Sequence, residues 1–170
     1  RPSLIFKREA AAGIRRLFVG PLLPNPLARP SLIPVVPDID GLALQAVHSR
    51  DVGEAYRLAA VGDARGAFNI SAEPVLNVGR LAELLGARKV RMRAGVLRAA
   101  ALAGWKLHLQ PTDPAWLDMG LGAPLIDSGR ARRELGWVPT FTAEQALLEL
   151  LTGLRSFSGW LRIGGSSMRR

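Results

Sequence analysis

The chain has 170 residues, of which 48% are hydrophobic, which suits one folded domain with its own core. It contains no cysteine, so disulfide bonds and thiolate metal ligands are excluded. No run of about 18 apolar residues is present, so we expect neither a membrane span nor a membrane partner. The formal net charge is +9, but the arginines are scattered without interleaved aromatic residues, which makes nucleic acid the least favoured partner.

The first 37 residues predict a strand, a helix and a long loop. Residues 1–6 suit a short buried strand, and residues 8–19 suit a helix with Ile14, Leu17 and Phe18 on one side. Residues 20–37 contain six prolines, which remove backbone donors and argue against a helix or a central strand. We interpret this stretch as a surface loop or lid.

Residues 45–70 predict a strand–helix–strand unit around which the chain is organised. Asp51 follows an apolar strand and suits a helix N-cap, and Glu54 is placed to complete a capping box. Gly66 ends the helical region, and residues 67–70 suit a second buried strand. Such a unit indicates an α/β fold. Four side chains recur at helical spacing and predict one apolar helix face: Val52, Ala55, Tyr56 and Ala59.

The rest of the chain predicts mainly helices, and no internal repeat is visible. Asn77 suits an N-cap and Gly86 a helix end, residues 89–92 suit an edge strand, and residues 96–109 suit a packed apolar helix. Further starts are predicted at Asp113–Pro114, at Asp127 and at Thr142, with a stop at Gly136. In the last helix, Ala146, Leu147, Leu150 and Leu151 are predicted to face inward, and from Arg155 we expect a frayed tail.

Three stretches, in order, resemble one family. Residues 1–6, R-P-S-L-I-F, resemble the strand with the Arg-Pro pair in the extended short-chain dehydrogenase/reductases, the NAD-dependent epimerase/dehydratase family. Residues 47–56 look like its Val-His-x-x-Asp-Val segment. Residues 127–140, D-S-G-R-A-R-R-E-L-G-W-V-P-T, are similar to its Asp…Ala-Arg-x-x-Leu-Gly-Trp-x-Pro signature. Order and spacing agree over residues 1–153, and the resemblance is to the C-terminal half of the family only.

The resemblance implies a domain organisation. We expect residues 1–153 to form the C-terminal, substrate-binding lobe of an extended Rossmann-type α/β enzyme, with a few strands, several packed helices and an incomplete sheet. Residues 154–170 are expected to be a frayed basic tail. The sequence contains neither the Gly-rich dinucleotide loop nor the Tyr-x-x-x-Lys of the family, and it does not begin with Met. We therefore expect a missing N-terminal half as partner. The resemblance also implies that the complete enzyme is cytoplasmic.

The resemblance also implies binding roles for five residues. Pro2, Ser3 and Leu4 would border the nicotinamide ring, and Gln45 and His48 would contact substrate. The complete enzyme would use NAD or NADP to move a hydride on a small hydroxyl or carbonyl compound, whereas this chain alone is expected to bind neither tightly. The alternatives are that the first three residues pack the sheet and that His48 is a hydrogen-bonded scaffold residue. No catalytic residue and no metal ligand is assigned.

Other conspicuous residues have a structural interpretation. Asp51 is preferred as a helix cap and Tyr56 as a packing residue, since Ala60 stands where a Tyr-x-x-x-Lys motif needs its cation. Leu44 occupies the position where nucleotide-sugar members often carry an arginine, so a nucleotide-sugar substrate is not supported. For Trp105, Trp116 and Met119, core packing is favoured over a pocket, and Trp137 with Pro139 is expected to lock the last helices to the sheet.

Three functional hypotheses remain open. The first is the substrate-binding portion of an NAD(P)-dependent epimerase/dehydratase-like oxidoreductase, inactive alone. The second is a non-enzymatic, truncated module that docks on a partner or self-associates through an exposed strand edge. The third, ranked last, is a basic nucleic-acid binder.

Overall fold

The computed structural model describes residues 1–14, 35–109 and 113–163, without the side chains of residues 14 and 155–163. Short strands alternate with helices in this part of the chain, and a 3-10 turn at Arg8–Ala10 precedes the first helix. The strands are β1 (Leu4–Phe6), β2 (Val35–Asp38), β3 (Ala43–Leu44), β4 (Ala46–His48), β5 (Leu76–Asn77) and β6 (Arg88–Arg91). The helices are α1 (Ala11–Ile14), α2 (Ser49–Val61), α3 (Val78–Leu85), α4 (Ala94–Lys106), α5 (Ala115–Gly122), α6 (Gly129–Leu135) and α7 (Ala143–Ile163).

The strands that the structure describes form three two-stranded sheets rather than one continuous sheet. β1 and β4 are parallel, with Leu4 opposite Ala46 and Phe6 opposite His48. β2 and β6 are also parallel, whereas β3 and β5 are antiparallel. A single parallel bridge joins Pro2 to Ile70. The predicted fold class, α/β with few strands and an incomplete sheet, is confirmed.

Strand β4 lies between two hydrophobic clusters. Ala46 and Val47 are both 0% exposed, and successive strand residues point to opposite faces. Ala46 belongs to a cluster built from Phe6 and the inner faces of α3 and α7. Val47 belongs to a second cluster, which contains Trp137 and the inner faces of α2 and α6. The unit predicted to organise the chain therefore supplies the strand that both cores share.

Several predicted helix ends are confirmed at atomic level. The Asn77 side chain accepts a 3.0 Å hydrogen bond from the Arg80 amide at the start of α3, and Gly86 ends that helix with φ +62°. At α7, the Gln145 amide donates to Thr142 Oγ1 at 3.1 Å, and the Thr142 amide donates to Gln145 Oε1 at 2.8 Å. This reciprocal pair is a capping box, and the four predicted inward residues of α7 are buried.

The predicted start of α2 is wrong by three residues. The helix begins at Ser49, and its N-cap is His48, whose Nδ1 accepts a 3.2 Å hydrogen bond from the Arg50 amide. Asp51 is therefore not a cap but lies inside the first turn, where it is 2% exposed. Glu54 does not close a capping box either, since it pairs with Arg57 at 2.6 Å. The imidazole ring supplies the acceptor that the carboxylate was expected to supply.

The strands predicted at residues 1–6 and 67–70 are both shorter than expected. β1 begins at Leu4, and the prediction that it is buried is wrong for Leu4 and Ile5, which are 49% and 43% exposed. Phe68 and Ile70 are buried, but within residues 67–70 only Ile70 makes a strand-like bridge, to Pro2. Residues 67–70 therefore include buried side chains but do not form a strand. A buried segment can form its backbone hydrogen bonds without belonging to a continuous ladder of paired strands.

The proline-rich stretch is only partly a loop. Val35–Asp38 is β2, and Pro37 is tolerated there because β2 pairs with a strand on one side only. Residues 20–34 of this stretch lie outside the described residues, as do residues 15–19 of the first predicted helix. At the other end, the backbone of α7 continues to Ile163 where a frayed tail was predicted from Arg155. Residues 164–170 lie outside the described residues.

The prediction that residues 96–109 form a packed helix is half right. A helix is present as α4, but none of its residues is buried. Trp105, Trp116 and Met119 are 40%, 50% and 58% exposed, so the preference for core packing is wrong for all three. The composition predicted apolar helices in this region, but it could not predict that their side chains would be exposed.

We expect Gly153→Ala to destabilise the fold. A Cβ built on Gly153 of α7 would overlap the carbonyl oxygen of Arg8 and would lie 2.8 Å from Ala11 Cβ. Backbone cannot yield as a side chain does, so the free energy of unfolding should fall by about 1–3 kcal/mol, measured by urea denaturation. Gly53→Ala is the matched helical control, because a Cβ there meets nothing within 4 Å. Equal unfolding midpoints for the two variants would contradict this packing.

Candidate functional site

The residues predicted to bind cofactor and substrate lie on neighbouring strands. The Leu4 amide donates to the Gln45 carbonyl at 3.2 Å, and β1 and β4 run in parallel from this point. Pro2, Ser3 and Leu4 therefore lie beside Gln45 at the start of the strand pair. His48 lies at its other end, opposite Phe6, so the two predicted substrate residues are separated by the length of β4.

Pro2 borders an open cavity of about 200 Å³. Its walls are mainly apolar and come from the start of the chain, α2 and the segment before Ile70. Tyr56 lies at this cavity and is 68% exposed, so its predicted role as a packing residue is wrong. The lining includes Arg1, Pro2, Val52, Tyr56, Phe68 and Leu135.

Ser3 carries an unsatisfied polar atom. Its amide donates to the Ile70 carbonyl at 2.9 Å, and the Ile70 amide donates to the Arg1 carbonyl at 3.0 Å. Its hydroxyl oxygen is buried and has no hydrogen-bond partner among the described residues. A buried hydroxyl without a partner is costly. Ser3 Oγ is therefore an unsatisfied interior atom beside the start of the β1–β4 pair.

Both polar atoms of the Gln45 side chain form hydrogen bonds with backbone groups. Its Nε2 donates to the Ile126 carbonyl at 2.9 Å, and its Oε1 accepts from the Ile126 amide at 2.7 Å. This pair resembles the bonding between two strands, with a side-chain amide in place of one backbone. Gln45 therefore holds the segment before α6 beside the start of β4.

His48 is buried and makes two contacts through its ring. It is 5% exposed, its Nδ1 accepts from the Arg50 amide at 3.2 Å, and its ring stacks on Phe141 with centroids 4.0 Å apart. The Nδ1 atom is therefore committed to the backbone of α2. This arrangement matches the scaffold alternative. No group of three or more possible metal ligands occurs in the part of the chain that the structure describes.

Asp51 joins α2 to the segment after α6, a role that the sequence analysis missed. Its Oδ1 accepts from the Thr140 amide at 2.9 Å and its Oδ2 from the Phe141 amide at 3.0 Å. Trp137 is 0% exposed, and its Nε1 donates to the Asp51 carbonyl at 2.8 Å. Gly136, with φ +63°, turns the chain from α6 toward this bond. The predicted locking role of Trp137 is thereby given an atomic basis.

A second connection was also missed. The Ser71 amide donates to Ser128 Oγ at 2.8 Å, and that hydroxyl donates to the Ser71 carbonyl at 3.1 Å. Both serines are buried. Serine is common in loops and usually solvated, so no sequence signal pointed to this pair.

Arg130 of α6 anchors the turn that precedes Phe68. It donates to the Ala67 and Arg65 carbonyls at 3.1 and 2.9 Å, and its guanidinium carbon lies 4.5 Å from the Phe68 ring centroid. It also forms two 2.9 Å bonds to Glu134. The hydrogen bond to Arg130 lowers the pKa of the Glu134 carboxyl, and the same bond raises the pKa of Arg130.

Comparison with known proteins gives relatives but no family model that matches. Two curated relatives are uncharacterized proteins of Mycobacterium tuberculosis and Mycobacterium bovis, each 30% identical over 152 residues. The match covers 85% of this chain and 40% of each relative. The chain therefore spans about two-fifths of the length of these relatives.

The chain is also similar to parts of solved structures. RMD from Pseudomonas aeruginosa complexed with NADPH is 20% identical, covering 92% of this chain and 48% of that one, with a TM-score of 0.46. UDP-glucose 4-epimerase from Thermotoga maritima with UDP-glucose is 17% identical, with coverages of 92% and 45% and a TM-score of 0.49. DesIV, a dTDP-glucose 4,6-dehydratase from Streptomyces venezuelae with NAD and TYD bound, is 21% identical, with coverages of 94% and 44% and a TM-score of 0.48.

Within the described residues, no helix has the length and apolar character needed to cross a membrane.

We expect Asp51→Asn to loosen the junction between α2 and residues 140–141. Asn has one acceptor oxygen where the carboxylate uses two, so one buried amide loses its partner at a cost of about 1–3 kcal/mol. Amide hydrogen exchange at Thr140 and Phe141 should accelerate, and urea denaturation should report the lower stability. Asp63→Asn, at an exposed position just after α2, is the control. Unchanged exchange at both amides would contradict the proposed junction.

The Arg130–Glu134 pair predicts a pH dependence. The folded-state pKa of Glu134 is lowered by Arg130, so its contribution to stability is present above the unfolded-state pKa and is lost as pH falls through the folded-state value. In Arg130→Gln, a carboxyl titration followed by NMR should show the Glu134 pKa rising. Glu54, whose pKa is lowered by Arg57, should not respond. A Glu134 pKa that ignores Arg130→Gln would contradict this assignment.

Proposed function

We propose that this chain is the substrate-binding part of an NAD(P)-dependent epimerase/dehydratase-like oxidoreductase. In this proposal the chain corresponds to the C-terminal half of the family. The Gly-rich dinucleotide loop and the catalytic Tyr-x-x-x-Lys, which its sequence does not contain, belong to an N-terminal half. The substrate is a small molecule with a hydroxyl or carbonyl group, and the chain alone does not turn it over.

The observation that carries the proposal is that the three family-like stretches bind one another. Residues 1–6 contribute β1, which pairs in parallel with β4 of the second stretch through Phe6 and His48. Asp51 of the second stretch accepts hydrogen bonds from residues that end and follow the third, and Trp137 of the third donates back to Asp51. Motifs far apart in sequence thus form one structural unit, which supports the proposal that they belong to one family-like fold.

Two groups of residues receive roles in the proposal. Pro2, Ser3 and Leu4 border the nicotinamide, and the Ser3 hydroxyl, which is buried and has no partner among the described residues, is the group proposed to hydrogen-bond to it. Gln45 and His48 shape the substrate side by holding Ile126 and Phe141 beside β4. When bound, the dinucleotide would supply hydride transfer. Orientation of the ring and substrate is the task of this chain's own residues.

The general base must come from elsewhere in the enzyme. Tyr56 is the only tyrosine in the sequence, it is 68% exposed, and Ala60 stands where a lysine would lower its pKa. The buried His48 is committed to the Arg50 amide through Nδ1. Neither Tyr56 nor His48 therefore takes the role that the tyrosine of the Tyr-x-x-x-Lys motif has in the family.

Calorimetric titration with NAD and NADP tests the proposal. The 170-residue chain should show no micromolar affinity for either, since its sequence contains no Gly-rich dinucleotide loop to hold the pyrophosphate. A protein extended upstream to include a Gly-rich loop should bind one of them, and Ser3→Ala should weaken that binding by about two- to tenfold through one lost hydrogen bond. Ser49→Ala, on α2, serves as the control. Micromolar binding by the chain alone, or none by the extended protein, would refute the proposal.

A further inference from the structure

Helix α4 has a composition that is inconsistent with its exposure. Residues 94–105 contain a single charged residue, Arg98, in an otherwise apolar sequence. A helix that is apolar around its whole circumference is normally covered. Yet no residue of α4 is buried, and Val96 and Trp105 are 57% and 40% exposed. Leu107 and Leu109, which follow it, are 68% and 58% exposed.

The same part of the chain carries concentrated positive charge. No Asp or Glu occurs between Glu83 and Asp113, and each basic residue of this interval is exposed. We call residues 88–109 the basic-apolar segment, because it carries both exposed cations and exposed apolar side chains. Its cations are Arg88, Lys89, Arg91, Arg93, Arg98 and Lys106.

Three carboxylates offset this charge only in part. Asp118 of α5 pairs with Arg98 at 2.8 Å. Asp38 lies opposite Arg91 in the β2–β6 register, and Asp38 and Asp40 line the same open cavity as Arg91 and Arg93. Arg88, Lys89 and Lys106 remain as cations for which the described residues provide no ion pair within 4.0 Å. The segment as a whole is therefore positive.

We infer that the basic-apolar segment binds the surface of a bilayer that contains anionic lipids. The cations match lipid phosphates, and Val96, Leu107 and Leu109 match the boundary between headgroups and acyl chains. Trp105, at the end of α4, is the residue type that prefers this interface. A nucleic acid would satisfy the cations but would leave the aliphatic side chains in water.

The dimensions of α4 agree with binding in the plane of the interface. A 13-residue helix is about 20 Å long, shorter than the hydrocarbon core of about 30 Å. The prediction of no membrane partner rested on the lack of a spanning run, and an interfacial helix needs no such run. This inference does not depend on the proposed oxidoreductase function.

Vesicle co-sedimentation of the full 170-residue chain tests the inference. The chain should bind mixed phosphatidylcholine–phosphatidylglycerol vesicles at low salt, bind phosphatidylcholine vesicles far less, and release as salt rises. Arg88→Gln with Lys89→Gln should weaken binding by on the order of tenfold or more, from about fivefold per cation. The matched control is Lys7→Gln with Arg50→Gln, which removes two exposed cations elsewhere and should change little.

A second pair of variants tests the apolar contribution. Val96→Asn should weaken binding to the anionic vesicles by on the order of tenfold, because the apolar valine side chain can no longer be buried in the bilayer. Val61→Asn, at a residue 73% exposed at the end of α2, should not. Circular dichroism establishes that all variants keep their helical signal.

Four results would overturn the inference. They are no binding to anionic vesicles, equal binding to neutral ones, binding that ignores Val96→Asn, and a dimer that protects the α4 amides from exchange without binding vesicles. Salt-dependent binding to duplex DNA without vesicle binding would assign the segment to nucleic acid instead.

Discussion

One buried carboxylate fixes the relation between the middle and the end of the chain. Asp51 accepts from the amides of Thr140 and Phe141, while Trp137 donates to its carbonyl. A buried carboxylate needs such donors to compensate for lost solvation, and two backbone amides at fixed positions supply them. Because Phe141 is held in this way, its ring lies against His48. The geometry of the strand end thus depends on a residue that does not line the cavity beside Pro2.

Backbone and side-chain amides, rather than catalytic groups, dominate the candidate site. Gln45 bonds to both polar groups of Ile126, and Ser128 bonds to both polar groups of Ser71. These bonds join segments that are distant in sequence to β4 and its neighbourhood. Ser3 is the exception, since its buried hydroxyl has no partner in the described part of the chain. The hydrogen bonds of the candidate site therefore position strands and connecting segments rather than reacting groups.

The sequence predicted features that local physics controls. Asn77, Gly86 and Thr142 end or begin helices where expected, because capping depends on a few neighbouring residues. The role of Asp51 could not be read in the same way. An Asp before an apolar face is a common cap, and only the tertiary contact with residues 140–141 shows that His48 caps instead. The exposure of α4 was missed for a related reason, since composition indicates that a helix needs cover but does not identify what covers it.

The sharing of β4 between two clusters bears on how the molecule loses its structure. Ala46 and Val47 are adjacent in a three-residue strand, and each is a fully enclosed member of a different core. If either core melts, the strand loses the support of one face, and the residue serving the other core is displaced with it. The two cores therefore cannot behave as separate cooperative units. Their denaturation is expected to be concerted, with one midpoint for probes in either core.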